Sequence, residues 1–178
     1  MSLHRWTVPT HIHMLEALGG QLAKAEAFAN DRGEASSDML TARLAPDMFP
    51  LATQVRFACF QSLECMDRLT GAAVRAIDTV AGIETIAAAR ALIAETVRTL
   101  KSADPTLWDG AETRPVEIVL PGDLIFDMTG EDFVRDWALA QFYFHIVTAY
   151  AILRRHGVGL GKADYVPYMF AYARKRAE

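Results

Sequence analysis

The feature that most constrains the fold is one long, mostly apolar stretch, residues 129–157, with helix signals at both ends. Thr129 followed three residues later by Asp132 is typical of a capped helix start, and Gly157 after a basic last turn is typical of a helix end. The residues between are apolar around most of the helix circumference, which predicts a helix of about seven turns surrounded by other elements. The rest of the chain must supply those elements.

Apolar residues at three- and four-residue steps predict further helices, and one segment alternates instead. Long helices are predicted over residues 8–30, 45–71 and 83–102, a short connecting helix over 37–44 and a β-hairpin over 115–128. Pro9 is interpreted as the first residue of the first helix and Asp47 as the N-cap of the second. Pro121-Gly122-Asp123 supplies the hairpin turn. After residue 157 we expect an extended strap and a short final helix. The expected fold is therefore all-α: a four-helix bundle with a short β-hairpin before the last long helix.

Composition excludes several classes of protein. The 178 residues, 52% hydrophobic and 22% charged, predict a single soluble domain over residues 1–178. The net charge of -4 and the lack of a basic stripe, apart from a cluster at 174–176, argue against binding to nucleic acid. A membrane span needs about 18 unbroken apolar residues, and the sequence has no such run. With no signal-peptide pattern, and with Cys59 and Cys65 interpreted as buried thiols, we expect a cytoplasmic protein.

Catalytic motifs are lacking in the sequence. Residues 157–162, GVGLGK, resemble a phosphate-binding loop, but they follow a helix instead of a strand, so they are interpreted as a helix end and turn. The paired carboxylates Glu131 and Asp132 are explained by helix capping. No serine or cysteine lies in a recognisable nucleophile motif.

His145 is the candidate functional residue, because it lies inside the apolar long helix. A buried imidazole needs hydrogen-bond partners or a metal. Gln141 lies one turn away on the same face, and Gln54 can approach from the second helix. The simplest account is a satisfied polar network, and the alternative is a ligand-binding or catalytic site. His11 and His13, two residues apart, do not form a metal pair, and His13 fits the bundle centre or the surface equally well.

The order of elements, with LAPDMFPLATQV (44–55) and FYFHIVTAYAILRRHGVGLGKADY (142–165), resembles the DinB/YfiT-like superfamily of metal-dependent bacterial four-helix bundles. Within it the chain is most similar to a branch described as a domain of unknown function. The resemblance covers essentially the whole chain and implies an up-down-down-up bundle. In the metal-binding members three histidines hold nickel or zinc. Two form an H-x-x-x-H motif on the last long helix, corresponding to Gln141 and His145 here, and the third corresponds to Gln54 or a neighbour.

Glutamine at two of three ligand positions changes the function that the resemblance implies. A neutral amide is a poor ligand for nickel or zinc, so the first hypothesis is a degenerate metal site without a cofactor. Gln54, Gln141 and His145 then form a polar pocket that binds a small molecule or a partner. The alternative is a metal- and thiol-dependent transferase, as in related bundles, that recruits nickel or zinc ligands such as His13 or Asp47 beside His145.

A third hypothesis is a structural dimerisation module, which predicts no pocket near Gln141. The resemblance also implies a homodimer. The aromatic residues of the C-terminal tail can serve either such an interface or the cover of the chain's own bundle. These residues are Tyr165, Tyr168, Phe170 and Tyr172.

Overall fold

Four long helices dominate the structure, a computed structural model that describes residues 2–76 and 82–174. They are α1 (Leu3–Asp31), α2 (Leu51–Thr70), α3 (Ile86–Lys101) and α4, which runs without a break through an α-helical turn (Gly130–Asp132), a π-helical segment (Phe133–Ala138) and an α-helix (Leu139–Arg155). The shorter elements are 3-10 turns at Ser36–Thr41, Pro105–Trp108, Ala111–Thr113 and Pro167–Tyr172, strands β1 (Pro115–Leu120) and β2 (Leu124–Thr129), and helix α5 (Lys162–Tyr165). The predicted helical bundle with a hairpin before its last long helix is confirmed.

The helices pack in pairs, α1 chiefly against α3 and α2 chiefly against α4. Helices α2 and α4 run antiparallel. Gln54 near the start of α2 meets His145 far along α4, whereas Arg68 at the end of α2 lies over the ring of Phe133 near the start of α4. The largest fully buried side chains are Phe133, Phe142, Met14, Leu15, Leu18, Leu22, Leu51, Leu69, Ile86, Leu100, Ile146 and Ile152. They come from all four helices, so the polar candidates at the α2–α4 seam border the main core.

Helix α4 has the predicted ends but not the predicted surroundings. The Thr129 hydroxyl accepts a hydrogen bond from the Asp132 backbone at 3.2 Å, and Gly157, with φ of 89°, lies just beyond the helix end. However, Phe144 is 55% exposed and Val147 48% exposed, so the expectation of a helix enclosed on most sides is wrong for this stripe. The π-helical segment was not predicted either. One face of α4 is apolar yet open to solvent.

Two predicted helix starts are wrong. Helix α1 begins at Leu3, and Pro9 lies inside it, because Leu3 is buried and its packing extends the helix past the residue that lacks an N–H. Helix α2 begins at Leu51, because Pro50 is extended and a proline also disfavours helix in the residue before it. Asp47 is therefore an exposed turn residue and not an N-cap. The predicted helix over 37–44 is a 3-10 turn. The loop expected after α2 and the basic cluster at 174–176 lie partly outside the described residues.

The hairpin is anchored on one face only. Val116 and Ile118 are buried, which ties β1 to the bundle, while Glu117 and Asp127 are directly opposite each other on the outer face. The guanidinium of Arg68 donates to the carbonyl oxygen of Glu117 at 2.8 Å. This bond joins strand β1 of the hairpin to the end of α2. The other strand, β2, leads directly into α4.

Buried polar contacts also fix the chain after α2. Asp67, whose side chain is 3% exposed, accepts two hydrogen bonds from the guanidinium of Arg75, both at 2.7 Å.

Both cysteines are free and buried, as predicted, and burial raises the pKa of Cys59 to about 12. No helix in the described ranges has the length and apolarity needed to cross a membrane.

The C-terminal tail folds back along α1. The side chain of Lys24 forms an ion pair with Asp164 at 2.6 Å, and the Gln21 amide donates to the Asp164 carbonyl at 3.1 Å. Further along, the hydroxyl of Tyr168 donates to the sulfur of Met14 at 3.5 Å. The predicted strap and final helix take the form of the short α5 and a 3-10 turn.

Candidate functional site

His145 and Gln54 form a hydrogen-bonded pair across the α2–α4 seam. Nδ1 of His145 lies 2.8 Å from Oε1 of Gln54. The Gln54 amide nitrogen donates to the carbonyl oxygen of Phe49 at 3.0 Å, which leaves the amide oxygen to face the imidazole. Because that oxygen can only accept, Nδ1 must carry the proton, and the lone pair of the neutral ring lies on Nε2. The first turn of α2 thus fixes the tautomer of a histidine on α4.

The pair is nearly enclosed. His145 is 7% exposed and Gln54 1% exposed. The ring of Phe57 stacks on the imidazole with centroids 4.9 Å apart, and Phe144 contacts it edge-on at 5.4 Å. Burial among these groups lowers the pKa of His145 to about 4, because the charged imidazolium would lose its hydration. At neutral pH the ring is uncharged, so it can accept a hydrogen bond or bind a metal through Nε2.

Gln141, the third predicted site residue, is not joined to this pair by a hydrogen bond. It is half-buried one turn before His145. A different glutamine on α2 buries its amide oxygen: Gln61 is half-buried, and its Oε1 has no hydrogen-bond partner in the described part of the chain. Gln61 lies two turns after Gln54 on the same face of α2. That seven-residue spacing of two glutamines in an amphipathic helix is the signal that sequence reasoning missed.

His11 is a second buried histidine that the sequence did not reveal. It is 1% exposed and contacts the ring of Phe142 edge-on at 4.5 Å. Its Nε2 has no hydrogen-bond partner among residues 2–76 and 82–174, and burial lowers its pKa to about 3. His13 is half-buried instead and stacks on Tyr168 at 4.6 Å. The three- and four-residue spacing of His11 to Met14 and Leu15 places it on the inner stripe of α1.

The residues at the predicted site do not fit a nickel or zinc centre. His145 offers one nitrogen lone pair, and Oε1 of Gln54 already accepts the Nδ1 proton at 2.8 Å, so a cation on that oxygen would compete with this bond. In the described ranges no three His, Cys, Asp or Glu side chains are grouped so that they could hold a metal ion. His13 stacks on Tyr168 and Asp47 is an exposed turn residue, and neither belongs to such a group in the described ranges. Amide oxygens are poor substitutes for imidazole toward these metals.

The best-formed surface pockets of the described residues lie away from His145. Four of the best-formed pockets have volumes of about 370, 400, 220 and 410 Å³, and none of these four has Gln54, Gln141 or His145 in its lining. Solvent contact with His145 is limited to its 7% exposed fraction. A ligand of this imidazole would pack beside the rings of Phe57 and Phe144, which contact it.

Comparison with known proteins identifies the family. Over 92% of its length the chain is 34% identical to a DinB family member protein from Shewanella denitrificans, whose crystal structure it matches with a TM-score of 0.80 over 91% of that chain. A search of curated proteins found no match. The family described as a domain of unknown function, DUF1993, matches residues 3–166. Since this match spans nearly the whole chain, the protein belongs to the DUF1993 family, a branch of the DinB-like superfamily.

Proposed function

We propose that this protein binds a small molecule at His145 without a metal, as a DinB-like bundle whose metal site has degenerated. The observation that carries the proposal is the Nδ1–Oε1 hydrogen bond of 2.8 Å between His145 and Gln54. It uses a glutamine at or beside the position where the resemblance places a metal ligand, and it leaves one uncharged acceptor, Nε2, in an aromatic environment.

The expected ligand has a hydrogen-bond donor and an apolar body. An uncharged imidazole nitrogen accepts from a hydroxyl, amide or thiol group, and the rings of Phe57 and Phe144 favour an apolar or aromatic neighbour. Phe144 is 55% exposed, so its side chain is able to rotate away and admit the ligand. Binding then selects the open arrangement of this ring from those that the free protein already samples.

Metal content is the decisive measurement. Protein purified without an affinity tag should contain no stoichiometric nickel, zinc or iron by elemental analysis. The double variant Gln54→His and Gln141→His restores the imidazole set of the superfamily and should gain nickel or zinc binding, with unchanged helical circular dichroism as a folding control. Stoichiometric metal in the unmodified protein that disappears in His145→Ala would refute the proposal and favour the metal- and thiol-dependent transferase.

A thermal-shift screen tests for the ligand itself. Metals, thiols, small acids, alcohols and amides are added to the folded protein, since a compound that binds only the native state raises the melting temperature. At a concentration 100 times its dissociation constant a ligand adds about 2.7 kcal/mol to the free energy of unfolding. The increase should be absent in His145→Phe and retained in His13→Phe, which replaces a histidine outside the pair. An increase that both variants retain would place the binding elsewhere.

We also propose a homodimer, supported by apolar side chains that the single chain leaves uncovered. Phe144 and Val147 on α4, and Phe170 and Tyr172 in the tail, are between 48% and 85% exposed. Tyr165 and Tyr168, by contrast, pack against the chain's own core. Light scattering coupled to size exclusion should give twice the chain mass of 19.7 kDa, and a monomer mass would contradict the proposal. A single domain and a bacterial cytoplasmic location remain predictions.

A further inference from the structure

A pocket of about 370 Å³, separate from His145, lies between the first turn of α1 and the beginning of α4. Its apolar side is formed by residues such as Leu3 and Val134, both buried, and the indole of Trp6 lies in its wall. Glu112 and Glu131 complete much of the lining. We propose that this pocket binds a small organic ammonium ion with an apolar body.

The two glutamates have no side-chain partner in the described part of the chain. Neither Glu112 nor Glu131 forms an ion pair or a side-chain hydrogen bond with any residue in the ranges 2–76 and 82–174. Helix capping does not explain Glu131, because the bond to the Thr129 hydroxyl is made by the next residue, Asp132. Both carboxylates therefore remain available to a ligand.

The one basic residue in this lining is already neutralised. Arg135 donates to Asp132 at 2.7 Å and to Asp136 at 2.6 and 2.9 Å. One guanidinium thus faces two carboxylates of its own helix, and it cannot also balance Glu112 and Glu131. The pocket carries an excess of negative charge that a cationic ligand would offset.

A close contact between two backbone segments places both glutamates in the lining of one pocket. A Cβ atom at Gly130 would overlap the carbonyl oxygen of Ala111, so these two backbone segments touch as only a glycine permits. Glu112 and Glu131 are the residues that immediately follow this contact in each segment. Both carboxylates therefore line one cavity, where an ammonium ion can approach either of them.

The other walls determine which kind of cation fits. Trp6 is 56% exposed, and an indole face attracts ammonium groups more strongly than the other aromatic side chains do. The buried Leu3 and Val134 favour an alkyl body over a hydrated metal ion. The volume lies near the lower limit of about 300 Å³ for small-molecule sites, which favours a small ligand. Val134 and Arg135 also lie in the π-helical segment, a rare conformation that is frequent at functional sites.

The test compares choline with its uncharged isostere 3,3-dimethylbutan-1-ol. The reporter is the indole N–H signal of Trp6 in two-dimensional NMR, assigned through Trp6→Phe. Choline should shift this signal saturably and bind at least about tenfold more tightly than the isostere, whereas the signal of the buried Trp108 stays in place. Equal binding of the two compounds, or no saturable shift with choline, would overturn the proposal.

Charge-neutralising variants locate the cation. Glu112→Gln and Glu131→Gln should each weaken choline binding by at least about fivefold, since each removes one attracting carboxylate. The control Glu84→Gln makes the same charge change at an exposed residue outside the lining and should leave the affinity unchanged. An equal loss in the control would mean general electrostatic attraction and would refute the site. His145→Phe should not alter choline binding, so this test is independent of the function proposed above.

Discussion

The two buried histidines should make the free energy of unfolding depend on pH well above the range where carboxylates titrate. Burial lowers the pKa of His11 to about 3 and that of His145 to about 4, from an ordinary value of 6.5. Below pH 6.5 the unfolded chain takes up a proton at each histidine, whereas the folded chain does not until the lowered pKa is reached. The unfolded state is therefore favoured as the pH falls, and stability is lost between pH 6.5 and about pH 4.

The magnitude follows from the size of the two shifts. Between pH 7.5 and pH 5.0 each histidine should lower the free energy of unfolding by about 2 kcal/mol, hence about 4 kcal/mol together, if the unfolded chain has ordinary pKa values. Aspartates such as Asp132 and Asp136, whose pKa the fold lowers from 3.8, act only at lower pH and do not interfere. This loss is a large fraction of the stability of an ordinary domain, about 5–15 kcal/mol.

Urea denaturation at pH 7.5 and 5.0 measures the effect. His11→Leu should retain only about half of the pH dependence, because it removes one of the two titrating groups. Phe142→Leu is the matched control: it trims a ring in contact with His11 and should lower stability by a similar amount at both pH values. A loss of less than about 1 kcal/mol in the unmodified protein, or full pH dependence in His11→Leu, would refute the reasoning.

Three further predictions concern the packing. Gly130→Ala should lower the free energy of unfolding by about 2–3 kcal/mol in urea titrations, because the added methyl group overlaps the backbone. In Gly20→Ala the added methyl group meets no atom within 4 Å, so this variant should raise the free energy of unfolding by about 1 kcal/mol. Equal effects of the two variants would contradict this prediction. Asp67→Asn weakens a buried contact with Arg75 and should cost about 1–3 kcal/mol in the same assay, and a loss below about 0.5 kcal/mol would contradict it. The two cysteines should react with a disulfide reagent at least about 100-fold more slowly in native protein than in denaturant, and comparable absorbance traces would contradict their burial.

The parts of the fold that local chemistry determines could be predicted from the sequence. Thr129 and Gly157 mark the ends of α4, and the turn at Pro121-Gly122-Asp123 marks the hairpin, because caps and turns depend on a few neighbouring residues. The start of α1 could not be predicted in this way. Pro9 is a typical first helical residue, but the packing of Leu3 extends the helix by more than one turn beyond it.

Some residues of the candidate site could likewise be predicted from the sequence, and others could not. His145 was identifiable because a polar residue inside an apolar helix is unusual, and the family resemblance indicated Gln54 as its neighbour. His11 was not identifiable, because neighbouring positions of an apolar stripe differ little in pattern: His11 is buried, and Ile12 is partly buried against the same core. The exposure of Phe144 was equally hidden, since composition does not reveal which side of an apolar helix is left uncovered.

The π-helical segment Phe133–Ala138 gives the longest helix a tolerance to changes in chain length. A π turn accommodates one residue more than an α turn, so it absorbs an insertion without rotating the helix on either side. Loss of one residue within this segment would convert it to regular α-helix. The Thr129 cap and the His145 side chain would then keep their orientation relative to the bundle. Relatives whose chains differ by one residue here can therefore share both ends of the helix unchanged.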